Sequence, residues 1–450
     1  MKQTNVPDVV VPEKRAPGSL PRPNMWRQIL MFFSIIGPGI ITANADNDVG
    51  GITTYSIAGA QFGYSMLWLL LPITLALIVT QEMCARMGTV TGKGLADLIR
   101  ENFGVRTTAI VLLLFVLGDL GNTAAEFAGI ASAAPILQTY AGFLSKNLLV
   151  PLGAIFVYLT ITRGNYKIVE RVFFFFCIVY LAYVASGFMV HPPWGEVLKQ
   201  TLVPHFKPTS AYLVTAIGVI GTTIAPWMQF YIQSAVVEKR VKIKDYGYSR
   251  LDVISGCFIT DIIAFFIIVA SAATIFAYNM HVPSGHQPIV INDAGDVALA
   301  LAPLAGKYAS LLFAIGLLNA AIFTAAILPL STAYYVCEAF GFESGVEQRF
   351  SDAKIFYAIY AGMIVLGAGF VLLPGAPLLA TIFYSQVLNG VLLPVVLVLM
   401  LILINNRRIM GTYVNGVSFN IIAWATVIIM GGLTIASTIA LFLGAGTAAG

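Results

Sequence analysis

The segment NADNDVGG, residues 44–51, sets two carboxyls, two carboxamides and a pair of adjacent glycines between apolar stretches at residues 30–41 and 52–71. A carboxylate at bilayer depth costs about 3 kcal/mol on insertion scales, and it persists where it faces a cavity or a cation. Gly50 and Gly51 would let the backbone leave the helix. Non-helical backbone within a membrane is tolerated only where it lines a cavity. Carbonyls freed there, beside Asp48, would form a hard, oxygen-rich cation site. Asp46 and Asn47 are candidates for an outer ligand layer or for an aqueous entrance, and the residue types do not choose between these. A second segment, GTTIAPWMQ at residues 221–229, carries Pro226, which removes a backbone donor and frees an upstream carbonyl. Thr222 and Thr223 add hydroxyls next to it. The plain alternatives are a short loop for the first segment and a proline kink for the second. Their occurrence together favours a site.

The elements that must position these residues are membrane helices. Of 450 residues, 58% are hydrophobic and 10% charged, against roughly 25% charged in soluble domains; mean hydropathy is +0.86. The apolar runs are continuous and of bilayer-spanning length, unlike the ~10-residue alternating strands of a membrane barrel. Eleven spans are expected, centred near Ile41, Ala76, Leu117, Ile155, Leu181, Thr222, Ala264, Leu317, Val365, Leu393 and Ile429. Basic residues concentrate in alternate loops: Arg22 and Arg27, Arg86 to Arg106, Arg163 to Arg171, Lys239 to Arg250, Arg349 and Lys354, Arg407 and Arg408. By the positive-inside rule these loops and the N-terminus are cytoplasmic, and the C-terminus is extracellular. The cell membrane is the expected location. The four cysteines, Cys84, Cys177, Cys257 and Cys337, are far apart and read as free thiols. No basic cluster with interleaved aromatics suggests nucleic acid, so the expected partners are the lipid bilayer and a metal ion. Oligomeric state is open, a monomer among the options.

The two interrupted spans are the first and the sixth, each opening a block of five. Paired broken helices in two halves point to a transporter site at the repeat interface. The expected fold class is thus an all-α integral membrane protein of LeuT type, with a 5+5 inverted repeat and discontinuous helices one and six. The boundaries are a tail at 1–27, a first repeat at 28–190, a second, inverted repeat at 208–403, and an additional helix eleven at 416–443.

These residues resemble the Nramp family of divalent-metal transporters. GPGIITANADNDVGG resembles the family's first helix, a GPG followed by a DPGN motif, and ARMGTVTGKGLADLI, FAIGLLNAA and SQVLNGVLLP resemble its later segments. The resemblance places Asp48 on the metal-binding aspartate, Val49 on the proline, Gly50 on the glycine and Gly51 on the metal-binding asparagine. Ala45 falls on the alanine whose carbonyl can face the metal, and Gln386 on a glutamine that approaches it. The family's MPH motif in helix six reads here Ala225, Pro226, Trp227, so the thioether and the histidine are both absent. On the third span Glu126 is kept, while Thr123 replaces the usual aspartate. A thioether favours softer ions over Mg²⁺, and Mg²⁺ keeps several waters and binds through one or two carboxylates. The pattern is similar to the branch of Nramp-related magnesium transporters.

The resemblance thus implies a transporter of Mg²⁺ and Mn²⁺, working by alternating access on a partly hydrated ion without proton coupling. No cofactor is expected and no enzymatic activity. A divalent ion gains about 4.6 kcal/mol from 100 mV. The metal set is Asp48, Ala45, Gly51, Thr222, Ala225 and Gln386. Asp46, Asn47, Trp227, Thr223, Glu126 and Asp119 form a secondary or aqueous-path set, with Asp119 either lining an inner path or pairing with a basic residue. Asp261 is an intramembrane acid without a nameable partner. Glu82 and Arg86, four apart, should pair, and Asn319 and Asn389 serve either as ligands or as interhelical glue. The rivals are a proton-coupled Mn²⁺/Fe²⁺ symporter and a sodium-coupled organic-solute carrier, whose anionic substrate Asp48 would repel. An intramembrane enzyme lacks any HExxH or GxSxG signature.

Overall fold

The computed structural model describes residues 42, 45–163, 180–207, 209–281, 288–289, 291, 297, 309–346 and 348–442. The N-terminal tail, the GPG motif, the centre of the first span at Ile41, and Cys177 lie outside the described residues. All regular structure among them is helical. In chain order the α-helices of nine residues or more are α1 (Val49–Phe62), α2 (Leu70–Thr91), α3 (Leu95–Gln138), α4 (Lys146–Arg163), α5 (Leu181–Met189), α6 (Trp194–Leu202), α7 (Ser210–Thr223), α8 (Pro226–Glu238), α9 (Tyr246–Ser271), α10 (Ala309–Phe340), α11 (Lys354–Leu372), α12 (Leu378–Ile404) and α13 (Val417–Phe442). Among the described residues eight helical stretches are long and apolar enough to cross a membrane. The expected centres from Ala76 to Ile429 all fall on helices, but those at Ile155 and Leu181 lie on α4 and α5, which are not among the eight.

Outward-facing apolar side chains such as Val365, Ile110 and Ile428 are two-thirds exposed, as a lipid-facing surface requires. Polar side chains turn inward instead: Asp46, Asn47, Asp48, Thr222, Glu126 and Gln386 are all buried. The sequence alone expected Gly50 and Gly51 to lie in the unwound stretch. They occupy the first turn of α1, and the non-helical residues are 46–48. The reason is the cap. Asp48 is extended, with φ −72° and ψ −174°, and its carboxylate accepts the Gly51 amide at 2.5 Å. That satisfies an orphan donor of the helix start. The second interruption is likewise tighter than residues 221–229. Only Ile224 and Ala225 leave the helix, and Pro226 starts α8, where its missing donor costs nothing.

Two close approaches bring the breaks together. α7 and α12 meet through Gly221 and Gly390: a Cβ on Gly390 would stand 2.6 Å from the Ile217 carbonyl, and one on Gly221 would overlap the backbone of Gln386 and Gly390. Small residues at such crossings let membrane helices touch backbone to backbone. α12 therefore carries Gln386 against the start of α1. The kinked α3 turns at Gly104, whose φ of +79° suits glycine, and it then packs along α10 and α12.

Candidate metal centre

The site is assembled from the starts of α1 and α8, the end of α7 and the faces of α3, α10 and α12. The hydrogen on the Gly51 α-carbon that replaces a side chain points into a ring of oxygens. A Cβ there would lie 2.6 Å from the Asp46 carbonyl, 3.4 Å from Asp48 Oδ1 and 3.4 Å from Thr222 Oγ1. The Thr222 hydroxyl has no hydrogen-bond partner among the described residues. It sits in the last turn of α7, where the carbonyls also lack intrahelical donors and the helix dipole is negative. Across from it, the Glu126 carboxyl of α3 stands beside that of Asp48, yet neither Glu126 oxygen makes a hydrogen bond of normal geometry. Two acids and two neutral oxygens thus converge without a basic partner. Such a set fits a hard divalent cation that retains water.

The other expected residues take varied places. The Ala45 carbonyl is turned to α10, where Thr324 donates to it at 3.4 Å; the carbonyl at Gly51 is that of Asp46. Ala225 caps α8, and its carbonyl receives Met228 N at 3.2 Å and Gln229 Nε2 at 3.3 Å. Trp227 is buried with its carbonyl held by Ser331 Oγ at 3.0 Å. Gln386 packs its carboxamide against Gly50, where any Cβ would overlap it. Its Oε1 accepts Asn389 Nδ2 at 2.9 Å, and Asn389 exchanges two hydrogen bonds with Asn122 of α3 at 2.8 and 3.1 Å. Asn389 is therefore interhelical glue that also holds Gln386. Thr223 donates to Val219 O and bonds the Tyr55 hydroxyl, each at 2.7 Å. Asp119 has no basic partner; Thr332 and Tyr335 of α10 donate to it at 3.0 Å each. Asn47 is buried, and neither of its amide atoms has a hydrogen-bond partner among the described residues.

Residues that motif reasoning passed over are the α10 hydroxyls Thr324, Ser331 and Thr332. Their spacing of seven and eight places them on one stripe of an apolar helix, which was the available signal. Away from the site, Glu82 and Arg86 pair at 3.1 Å as expected, and Arg86 also donates to the carbonyls of Tyr413 and Val414 and to Asn415. A cavity of 430 Å³ lies at the far end of α1, lined by Ile57, Gln61, Thr215 and Phe383 among others, with no charged side chain. Among the described residues no group of three or more His, Cys, Asp or Glu is gathered tightly enough to hold a metal alone. An ion here would therefore rely on the neutral oxygens and on water.

The sequence matches the family model of natural resistance-associated macrophage protein-like proteins over residues 39–440. It is 28% identical to the divalent metal cation transporter MntH of Deinococcus radiodurans, covering 91% of this chain and 89% of the relative. It is 29% identical to the MntH protein of Ralstonia nicotianae, covering 89% and 88%. A point mutant of the Eremococcus coleocola manganese transporter superposes with a TM-score of 0.75 at 21% identity, over 94% of this chain and 90% of that one. Mhp1, a nucleobase-cation-symport-1 family transporter, superposes at 0.57 and 17% identity over 91% of each chain. The fold is thus of LeuT type, shared by transporters with different cargo.

Proposed function

The chain belongs to the Nramp family, and from that premise we propose that it moves divalent metal ions across a membrane by alternating access, carrying Mg²⁺ as well as Mn²⁺ without coupled proton movement. The relatives' description as divalent metal cation transporters supports the general cargo. The observation that carries the finer reading is the ring at Gly51: Asp46 O, Asp48 Oδ1 and Thr222 Oγ1, with Glu126 beside them and Ala225 where a sulfur ligand could have stood. An all-oxygen set with two carboxylates gives no preference for soft ions and leaves positions for water, which Mg²⁺ surrenders reluctantly.

The absence of proton coupling rests on side-chain chemistry. Trp227 cannot titrate, and the chain's four histidines, His191, His205, His281 and His286, lie away from both breaks in sequence. The membrane potential alone offers a divalent ion about 4.6 kcal/mol per 100 mV. That corresponds to roughly a two-thousandfold accumulation at equilibrium.

The test is uptake into proteoliposomes holding the purified chain, with Mg²⁺ and pH indicators inside and a potassium diffusion potential imposed. Potential-driven Mg²⁺ entry without acidification, lost in Asp48→Ala, is the expected result. Mn²⁺ entry with acidification and no Mg²⁺ entry would overturn the finer reading and leave a proton-coupled transition-metal symporter.

A further inference from the structure

Three helix faces run in step between the cavity at the far end of α1 and the ring at Gly51. Residues 50, 54, 57 and 61 of α1, 211, 215, 218 and 222 of α7, and 379, 383, 386 and 390 of α12 repeat one four-three-four spacing, which lines up a single face of each helix. Their outer members Ile57, Gln61, Ala211, Thr215, Leu379 and Phe383 line the 430 Å³ cavity. Further in, Thr222 borders the ring and Gln386 packs on Gly50 beside it. By the positive-inside rule the cavity ends of all three helices are extracellular.

Between the cavity and the ring the three faces close on carbon. A Cβ on Gly218 would lie 3.3 Å from Thr54 Cγ2, 3.6 Å from Val387 Cγ2 and 3.7 Å from Phe383 Cε2. Side chains of α1 and α12 thus converge on the bare backbone of α7, about 6 Å, or one helical turn, outward of Thr222. Thr54 is fully buried in this layer, and Asp48, Thr222 and Gln386 are shut in beneath it. The Thr54 hydroxyl has no hydrogen-bond partner among the described residues. That is a cost of the closed layer, which water entering it would remove. Phe383 belongs to both levels, since it lines the cavity and closes the layer.

We propose that Phe383 is the outer gate of the metal site: with Thr54 and Val387 it seals the layer at Gly218, and its ring swings into the cavity to admit an ion that arrives hydrated. Carbon-lined constrictions close pathways by excluding water. The cavity has room for both. An octahedral shell of six waters, at about 30 Å³ each, fills about 180 Å³, less than half of the 430 Å³. It does not hold the ion. No charged side chain among the described residues lines it, and α7 and α12 both begin there, turning the positive ends of their dipoles toward it. The cavity passes the ion on, and Phe383 decides when. The proposal rests on the reading above for the ring as the ion's destination.

The experiment measures how fast a membrane-impermeant thiol reagent, applied from the extracellular side, modifies single introduced cysteines in the full chain, with the unaltered chain as control. Thr215→Cys, in the cavity, is expected to react, and Thr222→Cys, beneath the layer, at least tenfold more slowly. Adding Phe383→Ala should speed modification at position 222 several-fold and leave the rate at position 215 unchanged, which also reports that the fold is intact. Phe383→Leu, which keeps an apolar plug, should stay near the parent rate. Gly218→Ala adds a methyl to the layer and should slow modification at position 222. A rate at position 222 that neither Phe383→Ala nor Gly218→Ala changes, or a position 215 that does not react from outside, overturns the proposal. If these rates hold while Asp48→Ala still takes up Mg²⁺, the transport-site reading falls and the gate stands.

Discussion

Gly51→Ala isolates one feature of the ring. The added Cβ would lie 2.6 Å from the Asp46 carbonyl oxygen but 3.4 Å from Asp48 Oδ1 and Thr222 Oγ1. The latter two are ordinary contacts, so only the carbonyl has to retreat, by about 0.8 Å to reach the same 3.4 Å. Alanine in the first turn of α1 is a better helix former than glycine, so the helix itself gains. The carbonyl belongs to the backbone, so its retreat also carries a folding cost, which is read separately from transport. Losing one well-placed neutral oxygen contact is worth about 1 to 1.5 kcal/mol, or roughly a tenfold weaker apparent affinity for Mg²⁺.

The assay is initial-rate Mg²⁺ uptake in proteoliposomes across a concentration series, with thermal melting of the purified chain as the folding control. Gly50→Ala is the companion variant. Its Cβ would overlap the Gln386 side chain from Cγ to Nε2, which must give up its bond to Asn389 to make room, while the Asp46 carbonyl stays in place, so a smaller loss is expected. Wild-type affinity in Gly51→Ala, with an unchanged melting temperature, would refute the reasoning. It would mean that the Asp46 carbonyl does not face the ion.

Two further outcomes are expected. Ala225→Met places a thioether at the start of α8 and should raise the ratio of Mn²⁺ to Mg²⁺ uptake several-fold; competition between the two ions measures it, and an unchanged ratio would count against the role given to the missing sulfur. Arg86→Lys keeps the charge opposite Glu82 but loses the planar fork that holds the carbonyls of Tyr413 and Val414 at 3.2 and 3.3 Å. A loss of about 1 to 3 kcal/mol follows, seen as a lowered melting temperature with uptake intact below it.

The breaks were legible in the sequence because they violate the rules of their surroundings. Carboxyls and paired glycines do not belong in a 20-residue apolar run, and a proline in a second run repeats the anomaly five spans later. Which residues unwind was not legible. Asp48 caps α1 from its own side chain, and that local hydrogen bond lets Gly50 and Gly51 stay helical for a different purpose, the close approach of Gln386 and of the Asp46 carbonyl. Contacts between distant segments were also out of reach. Nothing in the spacing of Asn122 and Asn389 foretells their mutual hydrogen bonds. For Asp119 the sequence offers an inner path or a basic partner, and in place of the basic partner two hydroxyls on α10 donate to it.

An all-oxygen site raises the question of Ca²⁺, which shares the ligand preferences of Mg²⁺ but takes six to eight oxygens at longer distances in flexible cages. Hardness cannot separate the two ions; only the freedom of the site to widen can. The amide strut running from Asn122 through Asn389 to Gln386 restrains that freedom, because it ties α3 to α12 and seats the Gln386 amide against Gly50. Interhelical hydrogen bonds in membranes average about 0.6 kcal/mol each, so Asn389→Ala should leave a folded chain. It removes all three bonds at once and frees Gln386 to swing. Ca²⁺ uptake relative to Mg²⁺ should then rise, by several-fold if the strut sets the width. An unchanged ratio of Ca²⁺ to Mg²⁺, measured in the same vesicles, would show that the width is fixed instead by the backbone contact between α7 and α12 at Gly221 and Gly390, and that the strut serves stability alone.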